Sequence, residues 1–194
     1  MAERKTFEEA ETEELLTCLR IQIYHPQQSS KDVCRHLTLY KKQKHALEVM
    51  LQFGRDAKVC DFSLYDSRVS RRQFAIEAFR PFNSSELAFE IKNLSKKGKM
   101  AVNGLELDYL NKVDLPDKAL VRFSEFQLMF FTEPGDSNQG FDILFEQAPG
   151  PLCQEVGDAE YPVPVTDTGF DYVAPVRQFS LQGPLENDER MLLT

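Results

Sequence analysis

The histidines and acidic pairs of this chain are the side chains best suited to catalysis, yet none of them is arranged for it. His25, His36 and His45 lie outside any H-E-x-x-H motif, and the sequence contains neither G-x-S-x-G nor a P-loop. His25 precedes a proline and His36 opens a short apolar alternation, so both are predicted to be surface histidines. The acidic pairs lie near the chain ends, whereas catalytic carboxylates need rigid placement. We therefore expect a protein that is not an enzyme and has no cofactor or metal.

A second group of residues has the chemistry to bind a phosphate group. Arg55 offers a planar fork of donors, and Ser70 can add a hydroxyl donor. Lys92 supplies positive charge, and Asn93 carries both a donor and an acceptor. Further basic residues lie nearby in the sequence: Arg68, Arg71, Arg72, Lys96, Lys97 and Lys99. A phosphorylated side chain, with three acceptor oxygens and roughly two negative charges, suits such a group. The alternative is that these residues form a solvated surface.

Alternating apolar residues predict the strands that would position these side chains. Runs of this kind occupy residues 19–24, 36–40, 50–53, 74–79, 87–92, 119–131 and 141–145. The buried phase changes within the run 119–131, which predicts a bulge near Ser124. Residues 41–49 fit a helix or a loop equally well. Many short strands joined by turn residues indicate a β-sandwich or a barrel.

The two ends of the chain differ in charge from its middle. Residues 1–14 hold six acidic and two basic residues, and residues 149–194 hold eight acidic and two basic residues with six of the ten prolines. Residues 15–148 carry a net charge of +2. Acidic, proline-rich sequence disfavours packing, so residues 149–194 are predicted to form a mostly disordered tail. The acidic ends either serve solubility or act as ligands of the basic middle.

Composition limits the compartment and the partners. A net charge of −8 argues against nucleic acid as a general partner. No run of 18 apolar residues and no signal-like segment is present, so no membrane association is expected. The four cysteines are scattered without a C-x-x-C pair, which disfavours a zinc site or a disulfide framework and predicts a reduced, cytoplasmic setting.

The order of several short motifs resembles the forkhead-associated (FHA) domain, a β-sandwich that binds phosphothreonine peptides with loops at one end. The matching motifs are Gly54-Arg55, Ser70, Asn93, Ser95 and Val102-Asn103-Gly104. Two positions depart from the family pattern, because Gln73 replaces a histidine and Lys97 replaces an asparagine. The resemblance implies an all-β fold, an FHA-type antiparallel β-sandwich over residues 17–147. An acidic segment at residues 1–16 and a tail at residues 148–194, both disordered, would flank it.

Further segments are similar to one family, the TRAF-interacting proteins with an FHA domain. The similarity covers roughly residues 7–147 and returns in the last dozen residues. In that family an N-terminal threonine, matched here by Thr12, is phosphorylated and then bound by the FHA domain of another molecule. The family's phosphate and peptide contacts are matched by Arg55, Ser70, Lys92 and Asn93. The resemblance also implies an alpha-kinase as the upstream enzyme.

The tail contains a single P-x-E-x-x-acidic sequence, which spans residues 184–189. In the family such a motif binds the TRAF domain of TNF receptor-associated factor 6, and a short extended strand can add to a sheet edge in this way. Pro184, Glu186 and Glu189 would be the contact residues. The resemblance thus implies a signalling adaptor of innate immunity whose oligomers cluster this ubiquitin ligase and activate NF-kappa-B signalling.

The reach of the N-terminal segment indicates how Thr12 would be bound. Thr12 lies five residues before Thr17, where the first strand is expected to begin, and five extended residues span at most about 17 Å. The family is a constitutive dimer whose chain ends lie away from the peptide loops, so binding in trans and head-to-tail oligomers are implied. One alternative is an FHA dimer that needs no phosphorylation and modulates an active relative. The other is an unrecognised hydrolase or ligand carrier.

Overall fold

The computed structural model describes residues 15–136, 139–153 and 163–167. Thirteen β-strands and no helix lie within these ranges. The strands are β1 (Thr17–Tyr24), β2 (Gln43–His45), β3 (Leu51–Gly54), β4 (Phe62–Ser63), β5 (Phe74–Phe79), β6 (Ala88–Asn93), β7 (Met100–Val102), β8 (Leu105–Leu107), β9 (Asn111–Leu115), β10 (Lys118–Phe123), β11 (Phe126–Glu133), β12 (Phe141–Gln147) and β13 (Val165–Thr166). None of the described segments forms a helix with the length and apolarity to span a bilayer.

The strands form two sheets that pack into a sandwich, as the sequence predicted. The first sheet has the order β2-β12-β1-β11-β10-β7-β8, and the second has the order β13-β9-β6-β5-β3-β4. β1 lies inside the first sheet because Leu19, Ile21 and Ile23 alternate along it and all three are buried. It pairs antiparallel with β11 and parallel with β12.

Aromatic rings join the two sheets beneath the loops at one end. Phe53 and Phe74 stack within the second sheet, with ring centroids 4.5 Å apart. Phe123 of the first sheet meets Phe74 edge to face at 5.4 Å, and Phe145 meets Phe53 in the same way at 6.2 Å. Burying one such ring contributes about 1.5–3 kcal/mol. The ends of β3 and β5, from which the candidate site emerges, are therefore fixed by the core.

The bulge predicted near Ser124 is wrong, because the chain reverses direction there. Phe123 and Phe126 are cross-strand partners, so Ser124 and Glu125 form a two-residue turn between β10 and β11. Ser124 has a φ of 50°, the left-handed conformation that tight hairpins require. A two-residue turn shifts the alternation of buried positions by one residue, as a bulge does. The alternation of apolar residues therefore did not distinguish a turn from a bulge.

Residues 36–49 also differ from the predictions. The strand expected at 36–40 is reduced to an isolated bridge between Leu39 and Phe145, and Tyr40 turns the chain with a φ of 59°. Residues 41–49 contain no helix and instead supply the short edge strand β2. Residues 41–49 hold three apolar residues, Ala46, Leu47 and Val49, which are too few to sustain the buried face of a helix.

His25 is buried, whereas the sequence predicted a surface histidine. Its side chain has no exposed area and packs on Phe126, with ring centroids 4.6 Å apart. The Nδ1 atom accepts a hydrogen bond from the backbone N–H of Gln27 at 3.1 Å, and Nε2 lies 3.2 Å from Oδ2 of Asp66. Burial lowers the pKa of His25 despite the carboxylate. His36 is exposed as predicted.

The described residues of the tail include one short strand, whereas the sequence predicted a mostly disordered segment. In β13, Val165 pairs with Lys112 and Thr166 pairs with Asn111 at the edge of β9. This pairing joins residues more than fifty positions apart, so no local sequence pattern reveals it.

Candidate functional site

The candidate site begins where β3 ends at Gly54 and Arg55. A Cβ atom on Gly54 would lie 2.2 Å from the carbonyl oxygen of Arg71, so only glycine permits this close approach of the two backbone segments. The backbone N–H of Arg55 donates to the carbonyl of Ser70 at 3.0 Å, and that of Asp56 donates to Arg71 at 3.3 Å. These bonds hold the Arg55 loop against the loop that contains Ser70.

Ser70 connects this pair of loops to a third one. Its Oγ lies 2.7 Å from Oγ of Ser95, which follows β6. Ser95 is buried, and its Oγ also accepts from the backbone N–H of Gly98 at 2.9 Å. Three loops from separate strands thus meet around two hydroxyl groups, which fixes the position of Ser70 relative to Arg55.

Gln73 occupies the position of the family histidine and supports Ser70. It is buried, and its Oε1 accepts from the backbone N–H of Ser70 at 3.1 Å. Its Nε2 is also buried and has no hydrogen-bond partner among the described residues. Gln73 therefore accepts one hydrogen bond from the Ser70 loop, as an acceptor side chain at this position can, and its Nε2 donor is left unpaired.

The three loops enclose an open cleft of about 640 Å³ that is rich in positive charge. Its basic lining residues are Arg55, Arg71, Arg72, Lys96 and Lys97. The one carboxylate in the lining, Asp56, accepts from the backbone N–H of Lys58 at 3.1 Å. No described residue pairs with the guanidinium of Arg55, which is exposed. An anionic group entering the cleft would therefore meet an excess of available donors.

A second cleft of about 850 Å³ shares Arg55 with the first and extends to Gln27 and Tyr65. The lining also contains Arg71 and Arg68, and Arg68 is already engaged, because its guanidinium pairs with Asp66 at 2.8 Å and with Glu125. That pairing holds the pKa of the Asp66 carboxyl well below its usual range. Arg68, which the sequence grouped with the phosphate-binding residues, thus has local partners.

Lys92 and Asn93 are placed differently from Arg55 and Ser70. Asn93 is buried, with Nδ2 donating to the carbonyl of Leu107 at 2.8 Å and Oδ1 accepting from Ser95 N–H at 2.9 Å. Lys92 does not line the cleft, and its Nζ lies 2.7 Å from Oδ2 of Asp167. The structure therefore brings Arg55 and Ser70 together, while Asn93 holds the neighbouring loop from beneath.

The sequence did not single out two apolar residues that line the cleft, Val59 and Leu94. Val59 is 41% exposed, and a β-branched apolar residue directly after Lys58 in a turn is the sequence signal that could have found it. Such a residue suits contact with a ligand side chain beside the phosphate. Thr12 and the motif residues Pro184, Glu186 and Glu189 lie outside the described residues.

The fold and the three loops define the class of this protein as an FHA-domain protein. The sequence profile of the FHA domain matches residues 51–124, which run from β3 to the turn after β10. These residues include Arg55, Ser70 and the cleft. Strands β1, β2, β11 and β12, which lie outside the matched range, complete the first sheet.

Comparison with curated proteins gives the family. The chain is 45% identical over 150 residues to the rat TRAF-interacting protein with FHA domain-containing protein A, covering 77% of this chain and 81% of that one. It is 42% identical to the human protein A with the same coverage, and 35% identical over 140 residues to human protein B, covering 72% and 84%. This chain belongs to the family of TRAF-interacting proteins with an FHA domain. Membership supports an adaptor role.

Solved FHA domains are more distant. The MEK1 FHA domain in complex with a phosphothreonine peptide of HOP1 is 21% identical with a TM-score of 0.38, covering 46% of this chain and 94% of that one. The FHA domain of an Arabidopsis thaliana hypothetical protein is 14% identical with a TM-score of 0.41, covering 73% and 92%.

Proposed function

We propose that this chain is a non-enzymatic signalling adaptor whose FHA cleft binds phosphorylated Thr12 of another molecule. The observation that carries the proposal is the basic cleft in which Arg55 has no partner among the described residues, beside a positioned Ser70 hydroxyl. A phosphothreonine brings about two negative charges and three acceptor oxygens. A bidentate guanidinium contact and a hydroxyl donor suit those oxygens, and the lysines of the cleft add charge.

The position of β1 supports binding in trans. Gly135 lies against Leu15, since a Cβ there would be 2.3 Å from the Leu15 carbonyl oxygen, so the chain enters the domain at that end. From Thr17 β1 runs for eight residues, about 23 Å, toward Gln27, which lines the second cleft together with Arg55. Thr12 lies five positions before Thr17, a span of at most about 17 Å. The tether from Thr17 to Thr12 is therefore shorter than β1, which separates that end of the domain from the cleft. Thr12 does not reach the cleft of its own molecule.

Head-to-tail contacts of this kind extend into oligomers, because each molecule offers a phosphothreonine and a cleft. Clustered tails would then present many copies of the motif with Pro184, Glu186 and Glu189. A weak contact with the trimeric TNF receptor-associated factor 6 becomes strong when several copies act together. The printed names of the relatives, which are TRAF-interacting proteins, support this partner. Ligase activation, NF-kappa-B signalling in innate immunity, an upstream alpha-kinase and a cytoplasmic location complete the proposal.

The proposal is tested by titrating a labelled peptide of residues 7–17 into the full chain carrying Thr12→Ala, so that the peptide alone supplies the threonine. Charge-assisted hydrogen bonds contribute about 1.5–3 kcal/mol each. We expect the peptide phosphorylated on Thr12 to bind at least about a hundredfold more tightly than the unphosphorylated one. Arg55→Ala should remove that difference.

Arg122→Ala is the matched control, because this exposed arginine of β10 lies outside the cleft and its loss changes the net charge equally. It should leave phosphopeptide affinity within about twofold. Equal affinity for both peptides, or equal losses in the two arginine variants, would reject phosphothreonine recognition and favour the dimer that needs no phosphorylation.

A further inference from the structure

The exposed edge of β9 is covered by residues 163–167 of the tail. Val165 and Thr166 pair with β9, and the backbone N–H of Asp167 donates to the carbonyl of Leu110 at 3.0 Å. The Thr166 hydroxyl adds a hydrogen bond to Oδ1 of Asn111 at 2.9 Å. An extended segment that adds to a sheet edge through its main chain is a recurring mode of peptide recognition.

Asp167 gives this contact a charge-specific component. Its Oδ2 accepts a hydrogen bond from Nζ of Lys92 at 2.7 Å. The two side chains are only 18% and 31% exposed, so water screens the pair less than it screens a pair on the open surface. A carboxylate on this lysine satisfies the cation that the family resemblance assigns to peptide binding.

The covered edge adjoins the candidate site through the backbone. Leu110, which accepts from Asp167, donates its own N–H to the carbonyl of Asn93 at 2.8 Å. The chain continues from Asn93 directly into Leu94 and Ser95, which line the basic cleft. Occupation of the β9 edge therefore acts on the same strand end that supports the cleft.

The pairing between residues 163–167 and β9 buries little surface. Only two residue pairs make up the strand, and Val163 and Val165 are 82% and 51% exposed, so little apolar surface holds the segment in place. Main-chain hydrogen bonds and one ion pair give specificity without burying a core. A segment held in this way dissociates more readily than any internal strand of the sandwich.

We propose that the β9 edge and Lys92 form a docking surface for an extended acidic segment, and that residues 163–167 of this chain are its occupant and gate the cleft. The gate rests on the proposed function, since it matters only if Lys92 contributes to phosphopeptide binding. While the segment is docked, Asp167 holds Lys92, and a phosphopeptide must displace it. The apparent affinity is then lowered by the fraction of molecules in which the segment is docked.

The gate is tested by measuring phosphopeptide affinity in the full chain with Thr12→Ala, with and without Asp167→Asn. The amide keeps the size of the side chain and removes its charge. We expect binding to become about three- to tenfold tighter, because Lys92 is released. Asp136→Asn is the control, since this exposed acid outside the cleft lining changes the net charge by the same amount. Equal gains in the two variants would overturn the gate.

Docking itself is tested by hydrogen exchange of the Asp167 backbone amide in the full chain without peptide. In an antiparallel pair every second residue is hydrogen-bonded to the partner strand, so Val165, two residues before Asp167, occupies the same kind of position. Val165→Pro therefore removes a backbone N–H that donates to β9. We expect a protected amide whose exchange accelerates in this variant and on addition of phosphopeptide. Rapid exchange in the unchanged protein, or protection that falls on dilution and so indicates the tail of a second copy, would overturn the docking.

The two measurements separate the possible failures. If no variant binds the phosphopeptide while the Asp167 amide stays protected, the proposed function fails and the gate with it, but the docked strand stands. If the phosphopeptide binds through Arg55 and Asp167→Asn changes nothing, the proposed function stands and the gate is wrong.

Discussion

Arg55 differs from Arg68 in that its guanidinium is left for a ligand. Arg68 is held by Asp66 and Glu125, whereas the carboxylate of Asp56, which follows Arg55 in the chain, accepts from a backbone N–H. An exposed guanidinium without a partner is well hydrated and costs little stability. In the proposed complex it would exchange water for a bidentate phosphate contact, which lysine does not reproduce.

His25 makes the stability of the domain depend on pH. Burial lowers its pKa from the ordinary value of 6.5, while Asp66 and Glu125 oppose the shift. Below pH 6.5 the unfolded chain therefore binds a proton that the folded chain does not. The free energy of unfolding consequently decreases as the pH is lowered. We expect it to be lower at pH 5.5 than at pH 7.5 by up to about 1.4 kcal/mol from this histidine, measured by urea denaturation.

His25→Phe keeps a ring against Phe126 and removes the titrating group, so the pH dependence should shrink. Part of it should remain, because burial also lowers the pKa of His45. If His25→Phe retained the full pH dependence, the buried imidazole would not be its source.

At the scale of the elements, Gly54 sets how closely the Arg55 and Ser70 loops approach. In Gly54→Ala the new Cβ meets the Arg71 carbonyl at 2.2 Å, and backbone cannot give way as a flexible side chain can. We expect a loss of at least about 2 kcal/mol in the free energy of unfolding, together with weaker phosphopeptide binding, because the hydrogen bond from Arg55 to Ser70 is strained.

Gly150→Ala is the matched control for that substitution. No heavy atom lies within 4 Å of a Cβ placed there, so its free energy of unfolding should change by no more than about 0.5 kcal/mol. Equal stability of the two variants would show that the contact of Gly54 with the Arg71 backbone does not constrain the loops.

Strands with clear alternation could be predicted from the sequence, and those without it could not. β1 follows a period of two from Leu19 to Tyr24, which is the alternation that predicted it. β7 and β8 have three residues each, which is too short for a periodicity to be recognised. β13 exists only because β9 offers an open edge, so its cause lies elsewhere in the chain.

The candidate site was predictable to the extent that its residues follow motif positions. Arg55 and Ser70 come together as the motif order predicts, because tight turns after β3 and before β5 leave them little freedom. The motif does not state which way a side chain points, and Asn93 faces the interior instead of a ligand. The contact of Lys92 with Asp167 depends on tertiary pairing with the tail, which one sequence does not reveal.

At the scale of the whole molecule, the proposed binding in trans depends on Thr12 preceding the Thr17 end of β1 while the cleft lies toward the other end of that strand. A molecule that cannot satisfy its own cleft can bind a neighbour, and chain growth follows when the contact does not close on itself. The proposed function therefore predicts that oligomer formation requires both Thr12 phosphorylation and Arg55, and that different molecules can supply the two. If one molecule can supply the phosphothreonine and another the cleft, binding occurs in trans, and an effect of phosphorylation within one molecule would not produce this result.

The most direct test mixes two full-length proteins and measures their size by light scattering. One carries phosphothreonine at position 12 and Arg55→Ala, and the other carries Thr12→Ala with an intact cleft. Each alone should keep the size of the unphosphorylated protein, and the mixture should form larger assemblies that an excess of the phosphopeptide of residues 7–17 dissolves. If the mixture kept the size of its separate components, or if the Arg55→Ala protein assembled alone, recognition of phosphothreonine in trans would be contradicted.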